Sequence, residues 1–269
     1  MQEQISPRHE GLSEEQVQQY HRDGYIILRG VFSPDEARLL QEECERLLAA
    51  PFVNEKNLRT PTRVTPEGEK KTERIDPVID ISERFHAVVY DERITVPLRQ
   101  IFAEPACLFK DKLIFKAPQM SGYSMHQDYA WWQPQGEESP LPGIHPDKIL
   151  SVMIAIDAAD EENGAIELFP GYHHELLSPV GALRNMTPEE IAKINLCSGV
   201  LGATAPGDVI IFHSLAPHRS GSNRSSRSRR QLYMTYNATS AGDAYVSQQE
   251  HYRNYASRGK SDKESYFFE

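Results

Sequence analysis

The sequence predicts a mainly β domain with helices packed outside it, and three observations carry that expectation. Helix-start signals and apolar stripes of helical period are concentrated in the first hundred residues. After Leu108 the apolar runs become short, β-prone and bounded by Gly, Pro and Asn. No Pro/Gly/Ser-rich linker divides the two parts, so the 269 residues read as one domain with an all-β core and α decoration.

Residues 1–12 are polar and are expected to form a disordered N-terminus, leaving 13–269 as the domain. Ser13-Glu14-Glu15-Gln16 is a capping box and predicts a short helix to about Asp23. Tyr25 to Leu28 is apolar and suits a strand. Ser33-Pro34-Asp35-Glu36 combines a capping serine, a proline at the first helical position and acids in the first turn. Ala37, Leu39, Leu40, Cys44, Leu47 and Leu48 give that helix one apolar face. The charged, Pro/Thr-rich stretch 52–75 is expected to be a long surface loop. Ile81 to Phe102 has helical character, with Phe85, Val88, Val89 and Leu98 inward and Pro97 limiting its continuity.

The strand-rich part opens near Leu108 and includes Lys112-Leu113-Ile114-Phe115-Lys116, then Met125-His126-Gln127-Asp128-Tyr129 after a Gly/Ser turn. Leu150 to Ile156 is a continuous apolar run, and Ala165 to Phe169 follows a Glu-Asn-Gly turn. Thr187-Pro188-Glu189-Glu190 starts a small helical insertion. Val209 to Phe212 and Leu232 to Tyr236 complete the strands. The tail from Asp243 to Glu269 is polar and aromatic without a clear period, and both a helix against the sheet and a lid remain open for it.

With 29 Lys and Arg against 39 Asp and Glu the net charge is −10, which argues against a nucleic-acid binder, since phosphate neutralisation needs a basic face. No run is long and apolar enough to span a bilayer, and the first residues lack the basic and apolar regions of a secretory signal. Cys44, Cys107 and Cys197 are too scattered for a metal or disulfide pattern and are expected to be buried free thiols in a reducing cytoplasm. The expected protein is cytoplasmic, a monomer or weak homodimer, acting on a small molecule without nucleic acid or membrane.

His126-Gln127-Asp128 carries the chemistry. On an extended segment a His-x-Asp spacing points both side chains to one side. A second imidazole from a neighbouring strand then makes two imidazoles and a carboxylate, the set that leaves three adjacent positions open on six-coordinate non-haem Fe(II). His173, His174, His213 and His218 are the candidates for that third ligand. Arg229 opens a β-patterned segment, and a guanidinium near an open iron site suits a dicarboxylate held by a bidentate pair.

At these residues the chain resembles the phytanoyl-CoA dioxygenase family of Fe(II)/2-oxoglutarate oxygenases. The shared pattern runs through His126 and Asp128, Asn163-Gly164 with Pro170-Gly171-Tyr172-His173, Gly207-Asp208 with Phe212-His213, and His218, Ser220, Asn223, Ser225 and Arg229. Asp23-Gly24-Tyr25-Ile26-Ile27-Leu28 resembles the family's opening strand, and the likeness spans roughly residues 15–240. The resemblance implies a double-stranded β-helix, a jelly-roll of two antiparallel sheets. It also implies Fe(II) as cofactor, with 2-oxoglutarate and O₂ as co-substrates. Among the four histidines it selects His218 as the third metal ligand. Arg229 is then expected to pair with the distal carboxylate of 2-oxoglutarate and Ser220 to donate a hydrogen bond to it, with Lys112 in the co-substrate pocket. Met153 stands where a relative carries tryptophan. Because Asp128 keeps the carboxylate position filled, the expected outcome is hydroxylation or a related oxidation rather than halogenation.

Tyr129, Trp131 and Trp132 follow Asp128 directly. Aromatics in strands are usually core; beside a metal strand they also suit a substrate wall or a cage for a cationic amine. Tyr123, Lys116 and Arg74 are further candidates for substrate contact. The expected substrate is a small polar molecule, such as an amino acid, an amino-phosphonate or a natural-product intermediate. The alternatives are an acyl-CoA substrate, a non-catalytic jelly-roll metal-binding protein, and a Zn²⁺ hydrolase or isomerase. Neither of the last two needs a carboxylate clamp such as Arg229.

Overall fold

A computed structural model describes residues 11–54, 57–134, 139–179 and 184–257. Among the described residues the helices are α1 (Glu14–Asp23), α2 (Pro34–Leu48), α3 (Glu83–Val89), α4 (Glu92–Phe102), α5 (Pro188–Ile191) and α6 (Tyr245–Ala256). The strands are β1 (Tyr25–Leu28), β2 (Thr62–Val64), β3 (Lys70–Thr72), β4 (Arg74–Ile75), β5 (Ala106–Lys116), β6 (Tyr123–His126), β7 (Ile149–Ala155), β8 (Ile166–Leu168), β9 (Val200–Gly202), β10 (Val209–His213), β11 (His218–Ser220) and β12 (Arg229–Ala238). A six-stranded sheet has the order β1-β10-β7-β12-β5-β4, a four-stranded sheet the order β6-β11-β8-β9, and β2 and β3 form a hairpin. All pairings in the two larger sheets are antiparallel. No described helix is long and apolar enough to cross a membrane.

Period-two alternation sorts the six-stranded sheet into two faces with different tasks. Leu113 and Phe115 of β5, Val152 and Ile154 of β7, Val209 and Ile211 of β10, and Leu232, Met234 and Tyr236 of β12 bury against the helices, meeting Leu40, Cys44 and Leu47 of α2, Phe85 and Val89 of α3, and Leu98 of α4. The intervening residues look toward the smaller sheet. On β7 and β10 these are Met153, Ala155, Ile210 and Phe212, packed with Ile166 and Leu168 of β8. Burial on both faces explains why β7 and β10 read as unbroken apolar runs.

The capping boxes expected at Ser13, Ser33 and Thr187 all form. Several expectations are corrected. The stretch 52–75 is not a structureless loop: it holds the β2–β3 hairpin, and β4 pairs with the edge of β5 through Arg74↔Ile114 and Ile75↔Leu113. The helix foreseen over Ile81–Phe102 is two, divided where Asp91 caps α4 by accepting from the Arg93 N–H, and Pro97 lies inside α4. The strand carrying His126 stops there, and Asp128–Trp131 turns into a 3₁₀ segment. Of the three free thiols only Cys44 is buried; Cys197 is exposed. The first ten residues, expected to be disordered, lie outside the described residues, while Leu12 is buried and its backbone is held at both ends by the Gln100 amide. The tail contains α6, anchored where the Tyr245 hydroxyl donates to buried Asp111 at 2.7 Å.

The turn Asp160–Gly164 presses one backbone segment against the pocket floor. Asn163 fixes it, accepting from the Asp160 N–H and donating to the Ala158 carbonyl, both at 2.8 Å. Gly164 has φ +75°, and a Cβ there would lie 2.2 Å from the Gly221 carbonyl oxygen. Gly164→Ala is therefore expected to cost about 1–3 kcal/mol through left-handed backbone strain alone, with further loss from the clash. Urea denaturation measures it, and stability equal to the parent would contradict this geometry.

Candidate active site

His126 ends β6 directly opposite His218, which begins β11. Each ring is oriented by a backbone carbonyl: His126 Nδ1 lies 2.8 Å from Ser124 O, and His218 Nδ1 lies 3.0 Å from Ala216 O. A carbonyl only accepts, so each Nδ1 carries the hydrogen and each Nε2 keeps a free lone pair. Gln127 remains extended (φ −115°, ψ 125°), so His126 and Asp128 project to the same side although the strand has ended. The Gln127 amide is buried on the other side, donating to Glu175 O and Leu215 O and accepting from the Leu177 N–H.

Asp128 Oδ1 lies 3.7 Å from His126 Nε2 and 4.0 Å from His218 Nε2. One ligand atom from each of the three residues falls within 4.8 Å of the others, the one such cluster found among the described residues. The Ser151 hydroxyl donates to Asp128 Oδ2 at 2.7 Å, leaving Oδ1 to face the imidazoles. Burial, aided by neighbouring His218, pushes His126 down to about 4. For Asp128 burial acts upward, but His218, Lys112, His126 and the Ser151 bond hold the carboxyl below its ordinary value. At neutral pH His126 is thus neutral and Asp128 ionised, the forms that ligate a divalent metal.

The inner face of β12 and β5 continues from the triad as three cross-strand rungs: Tyr233 opposite Lys112, Gln231 opposite Ile114, and Arg229 opposite Lys116. Lys112, Ile114 and Tyr233 line a small cavity with the triad, Ile166 and Ser220. Lys112 makes no hydrogen bond or ion pair among the described residues; its ammonium lies 5.5 Å from the Tyr233 ring, and burial lowers its pKa. At the last rung Arg229 is 1% exposed. Its guanidinium donates to the Gly164 carbonyl, its Nε has no partner, and no carboxylate among the described residues pairs with it.

A larger cleft of about 380 Å³ opens on the other side of the triad. Its walls carry Arg63, Arg74, Lys110 and Lys112, the carboxylates Glu73 and Asp76, and Tyr123, Trp131, Trp132, Tyr252 and Tyr255. Arg63 pairs with Glu73, Arg74 lies 3.4 Å from Glu73 and 3.5 Å from Asp76, and Lys110 bonds Asp76 at 2.9 Å.

The structure redistributes several expected roles. Tyr129 is not a substrate wall: its hydroxyl donates to Ile144 O at 2.7 Å, and its ring packs in a core with Phe109 and Leu141. Met153 is wholly buried between the sheets and does not line the small cavity. Lys116 does not reach the cleft and sits beside Arg229 instead. Trp131, Trp132, Tyr123 and Arg74 do line the cleft. His213 faces Asp147 at 3.3 Å, with its ring 5.3 Å from that of His173, so neither belongs to the triad. Asp208, Asn163 and Asn223 shape backbone, Asp208 by accepting from the Gly30 and Ala205 N–H groups. The sequence reading missed Ser151, Gln231, Tyr233 and the α6 wall. The first was visible as the one polar residue in the run Leu150–Ile156, and the next two as every second residue after Arg229.

Residues 20–231 match the phytanoyl-CoA dioxygenase (PhyH) family. The 2-aminoethylphosphonate dioxygenase of uncultured bacterium HF130_AEPn_1 is 26% identical, over 86% of this chain and 84% of the relative. The methylphosphonate hydroxylase of Gimesia maris is 30% identical, over 86% of this chain and 83% of the relative. Among solved structures, EctD from S. alaskensis with 2-oxoglutarate and 5-hydroxyectoine superposes with TM-score 0.73 at 23% identity, covering 88% of this chain and 82% of that one. The chain belongs to the phytanoyl-CoA dioxygenase family and is an iron- and 2-oxoglutarate-dependent dioxygenase.

Two outcomes follow from the site. Ser151→Ala is expected to weaken divalent-metal affinity about 10–100-fold by releasing Asp128 from its support, read by metal titration of the folded protein; unchanged affinity would remove Ser151 from the site. Metal-free protein is expected to lose stability as pH falls from about 6.5 toward 4. Burial holds both His126 and His213 at about 4 against an ordinary 6.5, so the unfolded chain takes up protons first. The loss is on the order of 1 kcal/mol per pH unit for each histidine, and a melting temperature that stays flat across this window would contradict it.

Proposed function

We propose that the protein hydroxylates an unactivated C–H bond of a small polar molecule, with His126, Asp128 and His218 holding Fe(II) and Arg229 holding the distal carboxylate of 2-oxoglutarate. The observation that carries this reading is the Arg229 guanidinium. A buried cation with one carbonyl partner and an orphaned Nε is costly, and a dicarboxylate supplies the charge and the acceptors it lacks. The donor set fits iron equally well: two imidazoles whose Nδ1 atoms are held by backbone carbonyls, and one oriented carboxylate.

The strand orders β1-β10-β7-β12-β5-β4 and β6-β11-β8-β9 support reading the core as a double-stranded β-helix, with the site at its open end. When bound, iron and 2-oxoglutarate supply the oxidising chemistry, with succinate and CO₂ as products. The chain's residues do the rest. Ser220 and Arg229 orient the co-substrate, and Lys112 places a positive charge between co-substrate and cleft. Trp131, Trp132 and the α6 face around Tyr252 and Tyr255 keep water from the reacting bond.

For the substrate, the cleft sets four cations against the carboxylates of Glu73, Asp76 and the triad's Asp128, and adds five Tyr and Trp rings. That lining suits a compact molecule bearing an anionic group, such as an amino acid or an amino-phosphonate, and it offers no apolar tunnel for a long acyl chain. The relatives named for 2-aminoethylphosphonate and methylphosphonate point to the same class. A monomer or weak homodimer acting in the cytoplasm fits this use.

His126→Ala, Asp128→Ala and His218→Ala are each expected to abolish turnover while leaving the fold intact. Near-normal activity in any one of them would displace that residue from the metal site. Anaerobic addition of 2-oxoglutarate to the Fe(II)-loaded protein is expected to give a new visible charge-transfer absorption. Arg229→Ala should weaken 2-oxoglutarate binding by about 2–5 kcal/mol, roughly thirty-fold or more, with iron retained, and Arg229→Lys should recover only part of it because an ammonium lacks the planar fork. Succinate release screened across amino acids, phosphonates and phytanoyl-CoA checks the substrate class; coupled turnover with the acyl-CoA alone would overturn it.

A further inference from the structure

Lys116 is a second buried cation in the co-substrate pocket. It stands across the β5–β12 ladder from Arg229 and is 1% exposed. Its ammonium donates to Ser220 Oγ at 2.8 Å, to Gly221 O at 2.7 Å and to Gly164 O at 3.2 Å. Three donors meet three acceptors, yet no carboxylate among the described residues neutralises the charge. Of the groups that face it, Arg229 on β12 and Arg63 on β2 are both cationic, and the Tyr123 ring of β6 lies 5.5 Å away. Glu73, the carboxylate beside Arg63, is already taken by Arg63 and by the Tyr123 hydroxyl at 2.8 Å. Burial first, then Arg229 and Arg63, push the ammonium down to about 6.

The protonation state of Lys116 dictates where Ser220 can donate. Ser220 Oγ accepts from Lys116 and from the Tyr123 N–H at 3.2 Å, which uses both of its lone pairs. Its own hydrogen must then point to an acceptor in the cavity that Ser220 lines. With a neutral amine the pattern reverses. Gly164 O and Gly221 O can only accept, so they take the two remaining N–H bonds. The amine lone pair then faces Ser220, whose hydroxyl donates to it and is lost to the cavity.

Resting on the assignment of Arg229 to 2-oxoglutarate, we propose that Lys116 is a positioning residue of the co-substrate pocket: it takes up one proton from solvent when a dicarboxylate settles beside Arg229, and so turns the Ser220 hydroxyl toward that carboxylate. The anion supplies the charge that makes the buried ammonium favourable, and the ammonium aims the serine that helps hold the anion. Proton uptake and co-substrate affinity are therefore linked. Above the free-state value near 6, affinity falls as pH rises, by up to about tenfold per pH unit.

The test is calorimetry of 2-oxoglutarate binding to the anaerobic Fe(II)-loaded protein in two buffers of different ionisation enthalpy, with binding constants measured from pH 6.5 to 8.5. The parent protein is expected to take up close to one proton at pH 7.5 and to bind more weakly as pH rises. Lys116→Met should bind roughly tenfold or more weakly with iron affinity unchanged, show no uptake, and lose the pH slope. Lys116→Arg keeps a permanent cation, so it should bind better than Lys116→Met while also taking up no proton; this variant decides the matter if the methionine variant does not fold. Uptake absent in the parent, or unchanged in either variant, overturns the role of Lys116 alone. No binding by the parent protein, or undiminished binding in Arg229→Ala, overturns the assignment of the pocket and this inference with it.

Discussion

Strand alternation in β5 and β12 is the constraint on which the rest of the molecule depends. Each strand must satisfy two unlike environments at once, and a period of two is what allows it. Leu113, Phe115, Leu232, Met234 and Tyr236 bury against α2, α3 and α4, while Lys112, Ile114, Lys116, Arg229, Gln231 and Tyr233 form the rungs of the opposite face, of which Lys112, Ile114 and Tyr233 line the small cavity. A slip of one residue in this pairing would exchange the faces, placing three cations under the helices and the apolar side chains beside the metal ligands. Register and function are thus specified by the same packing energy. The ten paired positions between β12 and β5, with β7 on the other edge of β12, hold that register firmly.

The sheet's inner face holds the Arg229 charge out of contact with water, beside a Lys116 amine whose charged form burial disfavours. Arg229 and Lys116 are both 1% exposed and have only neutral oxygens as hydrogen-bond partners. Such an arrangement weakens the unliganded fold, because buried charge without a counter-charge is unfavourable. The same feature leaves Arg229 with an unpartnered Nε and no carboxylate partner among the described residues. On the far side of the triad the cleft is treated differently. There Arg63, Arg74 and Lys110 are tied to Glu73 and Asp76, so the wall is polar but largely compensated, and Lys112 is the cation left to bridge the two spaces.

Much of the family's shared pattern serves geometry rather than chemistry. Asn163 and Gly164 bring a carbonyl within reach of both buried cations. Asn223 ties the loop after β11 to Lys116 by donating to its carbonyl at 2.9 Å, and Asp208 fastens the turn before β10 to β1 through Arg29 and the Gly30 N–H. These groups touch neither the metal ligands nor the cleft. They position backbone oxygens and strand ends around the site.

The sequence by itself determined the helix starts at Ser13, Ser33 and Thr187, the doubly buried strands β7 and β10, and the candidates His126, Asp128 and Arg229, while His218 was singled out among four histidines by the family resemblance. Each of these is written in local chemistry: a capping hydroxyl three residues before its carboxylate or amide, a continuous apolar run, a His-x-Asp spacing, an arginine at a fixed offset. Tertiary structure alone decided the rest. The hairpin in 52–75 and the helix α6 have no strong local period, and they take their form from what they pack on, β4 along the edge of β5 and Tyr245 against Asp111. Tyr129 and Trp131 are near neighbours in sequence, yet one is core and the other lines the cleft, because the chain leaves strand geometry at Asp128 and side chains there no longer alternate. Lys116 looked like one more cation for a substrate. Only the approach of Gly164, Ser220 and Gly221 shows that it is buried and bound beside Arg229, since contacts between residues far apart in the chain leave no periodic trace in either segment.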